Sequence, residues 1–414
     1  MSQIRNIQLL LGFTGILLLA GCQNDSVEPT RSKQESIVEL IPMTTHYVDI
    51  QKMGSRADDP VPVDPPTGYV PYDQLYPTTM PPNRTIGVFL TPEKENSIGN
   101  FIYEGKDENN ISIWKSSVFV VAGTTYYIYG YMPREDAETA HIVPISGNYS
   151  NGAILTINNY KSLTSADVCA VVGVRNASEE ERRDHVLYSP LNPGFFTYEG
   201  QVSGENRVFV LLKHLYAGIH FKAFIGKKYH QMRDIEITGM QLEAQNIPDY
   251  VNLTLTLTAN DTGANPLYTA YDLASETGKQ TVTLFPYEGS TPYKVKEVDD
   301  DPEPEGFLGC FVPGQPDPTH PLTFVLHTTY NVYDRVMEME NGAPVLDSDG
   351  KPKYINHLIR EGCVAKNFID PSTIPGFEAI GAGDVFTVNL LIEPDYLYVL
   401  SDPDLDNPTI ITTP

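Results

Sequence analysis

Eight residues from Val251 to Thr258 alternate without interruption, with Val251, Leu253, Leu255 and Leu257 apolar and Asn252, Thr254, Thr256 and Thr258 polar. Side chains of a strand point alternately to its two faces, so this period of two fits a strand with one face buried and one wet. A helix would smear the same residues around its circumference. Similar short runs recur along the chain: Ile86–Leu90, Ser117–Gly123, Thr125–Pro133, Ala153–Ile157, Asp167–Val174, Arg207–Leu212, Gly218–Ile225, Arg233–Ala244, Thr281–Phe285, Leu322–Tyr333 and Asp384–Pro394. They are rich in Val, Thr and Tyr, which suit a pleated surface, and 31 Gly and 33 Pro supply turns between them. Asp349-Gly350 marks a hairpin. Ser178–Val186 is the one helical candidate, short and mostly charged. Many short strands with frequent turns predict an all-β protein of sandwiches or barrels, and 414 residues predict two domains.

The two ends read differently. Arg5, an apolar run from about Ile7, and the sequence Leu18-Leu19-Ala20-Gly21-Cys22 form the parts of a secretory signal, and the cysteine after the small residues resembles a bacterial lipobox. Cys22 is then the acylated first residue of the processed chain. Residues 23–35 are polar and suit a tether. Ser36–Ile50 is β-prone at both ends and reads as a strand broken at Pro42. Residues 51–82 are dense in proline and aspartate, a linker or exposed loop that contains Arg56. At the other end the β-prone run Tyr396, Leu397, Tyr398, Val399, Leu400 follows a proline, after a domain could already have closed at Pro394. It is either the last strand of that domain or a strand in search of another sheet edge.

A formal charge of −25 argues against nucleic acid or an anionic lipid surface as a partner. No GxSxG elbow, HExxH, phosphate loop or dinucleotide fingerprint is present, so no enzyme activity and no cofactor are expected. His214 and His220 would share one face of a continuous strand, but no third ligand has fitting spacing, so no metal is expected either. The acidic run Asp299–Glu305 reads as a solvated loop. Asp347-Ser348-Asp349-Gly350 opens like a calcium loop, yet Leu358 stands where a closing glutamate is needed. With Cys22 assigned to lipid, Cys169, Cys310 and Cys363 remain, and Cys310 with Cys363 is either a bridge or two buried thiols. Tyr126, Tyr127, Tyr129 and Tyr131 could stack on sugars, but core or sheet-face packing is the simpler account.

The lipobox at Cys22, the aromatic strand 126–133, the segments 211–226 and 233–242 and the closing residues 386–394, taken in order, resemble the fimbrillin family of Bacteroidia, lipoprotein precursors of type V pili. That resemblance implies two tandem transthyretin-like Greek-key β-sandwiches and no catalysis. Mapped onto this chain it gives a signal peptide at 1–21, a tether and removable first strand at 22–56, an N-terminal sandwich at 57–210 and a C-terminal sandwich at 211–414. It further implies that a trypsin-like protease cuts after an arginine behind the first strand, here between Arg56 and Ala57, with Arg31 as the alternative. The first strand then leaves, and a strand of another subunit fills its place by β-strand addition. The donor would be Tyr396–Leu400. Implied partners are other fimbrial subunits, the protease, and the outer membrane through lipid before cleavage. Rival readings are a monomeric glycan-binding surface lipoprotein, and a tip adhesin or anchor in place of a stalk subunit.

Overall fold

The computed structural model describes residues 35–50, 69–72, 84–91, 99–106, 112–116, 118–184, 187–189, 191–202, 204–259, 266–286, 291–297, 307–313 and 319–392. The all-β expectation holds: strands dominate, and the helices among the described residues are single turns and the short Glu179–Asp184. No helix among them is long and apolar enough to cross a membrane. The alternating run forms the strand Tyr250–Thr258, and its four apolar residues are all buried.

Two stacked pairs of sheets account for most of the chain. In the first pair, a nine-stranded sheet has the order 70–71, 39–44, 207–214, 169–176, 125–132, 85–91, 99–106, 112–116, with 197–199 added beside 125–132. Facing it is a four-stranded sheet ordered 139–144, 152–161, 250–258, 267–273. Phe89, Tyr129, Tyr131, Phe209 and Leu211 of the larger sheet meet Ile142, Leu155, Ile157, Leu253 and Leu255 of the smaller in one core. The other face of the nine-stranded sheet covers a separate core that includes Val88, Phe101, Trp114, Ile128 and Val210. In the second pair, strands 163–164, 307–311, 217–225, 384–392 and 48–49 form one sheet, with 296–297 also pairing 217–225, and 277–285, 233–248, 323–337 and 354–369 form the other, with 293–294 added. Their shared core holds Phe221, Phe311, Phe324 and Phe386 with Ile235, Ile237 and Leu242.

The chain does not pass from one pair to the other at a single point. A boundary at 210/211 falls inside the strand Arg207–His214, and residues 250–273 return to the first pair after 217–248 have built the second. Leu163 and Thr164, between two strands of the first pair, pair with Phe311 and Cys310 in the second. Pro42 does not break its strand: it sits within Glu39–Thr44 opposite Val210. The breaks fall at Val38 and at Thr45–Tyr47, either side of it.

Tyrosine is a core residue here. Tyr126, Tyr129 and Tyr131 are buried, as are Tyr160 and Tyr216. A buried phenol needs a partner for its hydroxyl. Tyr129 donates to the Tyr149 carbonyl at 2.6 Å, Tyr160 to Pro133 at 2.8 Å and Tyr216 to Lys161 at 2.9 Å. Burial pushes the Tyr131 phenol up to about 12. The strand tyrosines that could have stacked on a sugar are thus spent on packing, apart from the half-exposed Tyr127.

The histidine pair and the cysteine bridge do not form. Leu215 and Tyr216 separate the strand that ends at His214 from the one that holds His220, so the two rings do not share a strand. Cys310 is buried in the sandwich, Cys363 lies on the exposed edge strand Tyr354–Ile369, and both are free thiols. At Asp347–Gly350 the Asp347 carboxylate accepts the Asp349 and Lys351 amides, each at 2.9 Å, and Gly350 takes the positive φ of 76° that closes the turn. The acid run 299–305 lies outside the described residues.

Candidate assembly interface

Residues 35–50 reach both sheet pairs. Glu35–Ile37 pairs antiparallel with Phe119–Val121, then Glu39–Met43 runs parallel to Arg207–Leu211, and Val48–Asp49 runs parallel to Asp384–Val385. One short segment therefore adds strands to the nine-stranded sheet of the first pair and to a sheet of the second. Its side chains go to both sides, as a strand's must. Val38 and Leu40 enter the core beneath Trp114, Met43 enters the core shared with Leu255, and Ile50 enters that of the second pair.

The polar ties are as local as the packing. Ser36 Oγ accepts from Asn206 Nδ2, and Ser116 Oγ donates to the Val38 carbonyl at 2.8 Å. Arg207 reaches one oxygen of Glu39 with Nε at 2.9 Å and Nη2 at 2.8 Å. Thr44 Oγ1 donates to the Leu212 carbonyl at 3.2 Å, and the Val48 and Ile50 amides donate to Gly383 and Val385 at 2.9 and 3.0 Å. The Glu39 carboxylate is 60% exposed, so solvent screens its ion pair. Glu39→Ala should change the denaturant midpoint by less than about 1 kcal/mol equivalent, read in urea titrations beside the parent.

Between the two ties lies a buried cluster. Tyr47 stacks on His214 with centroids 4.1 Å apart and donates to Asp167 Oδ1 at 2.7 Å, while His214 Nε2 lies 2.9 Å from the Thr45 carbonyl. Burial works to lower the His214 imidazole, but the charge and hydrogen bond of Asp167 together with the Thr45 carbonyl outweigh it and leave the ring raised above its ordinary value. Burial, with the Asp167 charge, drives the Cys169 thiol well up. The sequence singled out His214 but not Asp167 or Tyr47, because the three are brought together from separate segments.

Beyond the segment, the neighbouring edge is a continuous apolar row. Val208, Phe209, Val210, Leu211 and Leu212 are all at most 3% exposed, and, among the described residues, 39–44 and then Val70–Pro71 lie outside the strand they form. A cleft lined by Thr45, Tyr69, Val172, Leu211 and Lys213 opens where the segment leaves the first sheet. Of the residues expected to matter, Ser36–Ile50 is placed in full. Cys22, Arg31, Arg56 and Ala57 lie outside the described residues, as does Tyr396–Leu400.

No protein-family model matches the chain, and no curated protein matches it. Solved structures do. One is a fimbrial protein from Bacteroides vulgatus, with 7% identity, 75% of this chain and 89% of that chain covered and a TM-score of 0.26. A fimbrial protein from Bacteroides ovatus shows 11% identity over 87% of this chain and 50% of that chain, with a TM-score of 0.25. A protein provisionally assigned to cell adhesion from Bacteroides uniformis shows 9% identity over 71% of this chain and 93% of that chain, with a TM-score of 0.27.

Proposed function

We propose that the chain is a structural subunit, of the stalk type, of a surface fimbria. It is exported as a lipoprotein on Cys22, matured by a trypsin-like cut between Arg56 and Ala57, and polymerised when Tyr396–Leu400 of one copy takes the place left by Ser36–Ile50 of another. Its role is structural rather than enzymatic. The observation that carries this reading is the seating of residues 35–50 as an added strand in two sheets, with Val38, Leu40, Met43 and Ile50 buried and the proline-rich stretch that holds Arg56 directly behind it. A segment placed this way blocks its own groove until it is cut free. Loss of it would expose unpaired backbone on Arg207–His214, the template that β-strand addition requires. The stalk role is favoured because the β-prone sequence Tyr396–Leu400 offers a segment to donate, whereas a tip needs only to accept and an anchor keeps its lipid.

Limited trypsin treatment of the purified precursor tests this directly. The expected result is a new N-terminus at Ala57 and a ladder of SDS-resistant oligomers in unboiled samples. Deletion of Asp395–Pro414 should abolish the ladder and leave the fold intact by circular dichroism. Cut chains that stay monomeric and are retained on a polysaccharide column would overturn the assembly reading in favour of a glycan-binding lipoprotein.

A further inference from the structure

We propose that Asp167, Cys169 and His214 form a binding site for a divalent cation of borderline softness, zinc by preference. Asp167 lies in the connection two residues before Cys169, the first residue of the strand Cys169–Asn176, and Cys169 is directly opposite His214 in the antiparallel ladder. This register brings one carboxylate oxygen, one sulfur and one imidazole nitrogen within 4.8 Å of one another, all on buried residues. His214 Nδ1 is 2.9 Å from Asp167 Oδ2 and 3.5 Å from Cys169 Sγ.

The tautomer decides what the site needs. A carbonyl only accepts, so Nε2 of His214, 2.9 Å from the Thr45 carbonyl, carries the hydrogen. Nδ1 then turns its lone pair toward the Asp167 carboxylate. Two acceptors at 2.9 Å repel unless something positive lies between them. A proton on Nδ1 meets that need in the unloaded protein, and a metal ion meets it with three ligands instead of one. The backbone carbonyl on the far ring nitrogen is the outer-shell partner that metal-bound histidines ordinarily have. Thiolate, imidazole and carboxylate together suit Zn²⁺, and three protein ligands leave a fourth position for water.

Binding releases two protons, one from the Cys169 thiol and one from His214 Nδ1, and the cation takes their place without any change of oxidation state. The loaded site ties strand 169–176 to strand 207–214, and through Thr45 it also holds the segment 35–50. It needs neither cleavage nor polymerisation, so its test stands apart from that of the assembly reading.

The test uses the full, uncut chain in detergent, stripped with EDTA, desalted, and then loaded with Zn²⁺ or Co²⁺ alone. After gel filtration the parent should retain one Zn²⁺ per chain by elemental analysis, and the Co²⁺ form should show a thiolate-to-cobalt charge-transfer band. Cys169→Ser should remove the band, Cys363→Ser should keep it, and His214→Gln should weaken Zn²⁺ retention by at least about tenfold. If Cys169→Ser disturbs the stripped fold by circular dichroism, Asp167→Asn serves as the second ligand variant, with the same weakening expected. The proposal is overturned if the parent retains no Zn²⁺. Retention that none of the ligand variants changes overturns it equally, because it would place the ion on the acidic surface.

Discussion

A chain produced from Ala57 onward, without Ser36–Ile50, should not remain a monomer. The segment buries Val38, Leu40, Met43 and Ile50, each at most 7% exposed, and a fully buried side chain of this size contributes about 1.5 to 3 kcal/mol. Val38, Leu40 and Met43, the three that enter the first sheet pair, sum to roughly 4.5 to 9 kcal/mol, an upper figure because the unfolded chain already hides some apolar surface. Domains are commonly stable by only about 5 to 15 kcal/mol. A shortened chain therefore either fills the exposed row beside Val208–Leu212 with another strand or loses the first sheet pair. Size-exclusion chromatography with light scattering should show oligomers.

Adding the peptide Ser36–Ile50 in trans should return the shortened chain to a monomer of restored thermal stability. A peptide in which Leu40 and Met43 are both Asp should not, since each charge would enter an apolar core. A peptide spanning Tyr396–Leu400 with its flanks should compete for the same place if it is the donor. A shortened chain that stays monomeric and as stable as the parent, with no response to any peptide, would show that the segment is a passenger and not a plug.

What the sequence made legible was the local pattern. The period of two over Val251–Thr258 and the runs ending in Pro133, Val174, Leu212 and Ile225 became strands because a strand's faces alternate whatever it pairs with. Pairing itself was not legible. Residues 250–258 join 152–161 across roughly ninety positions of chain, and nothing local in Leu253 or Ile157 names the other. The same holds for Asp167, which sits in a connecting stretch and acquires meaning only once Tyr47 and His214 arrive. Pro42 misled for a physical reason: a proline removes one donor, and a strand tolerates that where the missing amide is not needed by its ladder. The helical candidate Ser178–Val186 was legible, but not the cap signal that starts it, Ser178 followed three residues later by Glu181.

That signal leads to the second large effect: Glu181→Gln should destabilise the first sheet pair by about 3 to 5 kcal/mol, the usual consequence of breaking one side of a buried ion pair. The Glu181 side chain has no exposed surface, and Arg175 meets it with two parallel bonds at 2.7 and 2.8 Å. It also accepts the amides of Ser178, Tyr188 and Ser189 at 2.9, 2.8 and 3.0 Å, while Ser178 Oγ accepts the Glu181 amide at 3.1 Å in return. Burial opposes the charge, but Arg175 and the three amides prevail and hold the carboxyl down at about 2. Because the folded value is depressed, the stabilisation is complete above the ordinary carboxylate value of about 4.3 and is lost as pH falls toward 2. The capped turn matters to the interface because Arg182 offers its carbonyl to Arg207, the residue that holds Glu39. Urea titrations at pH 7 and pH 3 should therefore show a parent whose stability falls with acid and a Glu181→Gln variant whose deficit shrinks there. A variant as stable as the parent at pH 7 would remove Glu181 as the support of the strand on which residues 39–44 are seated.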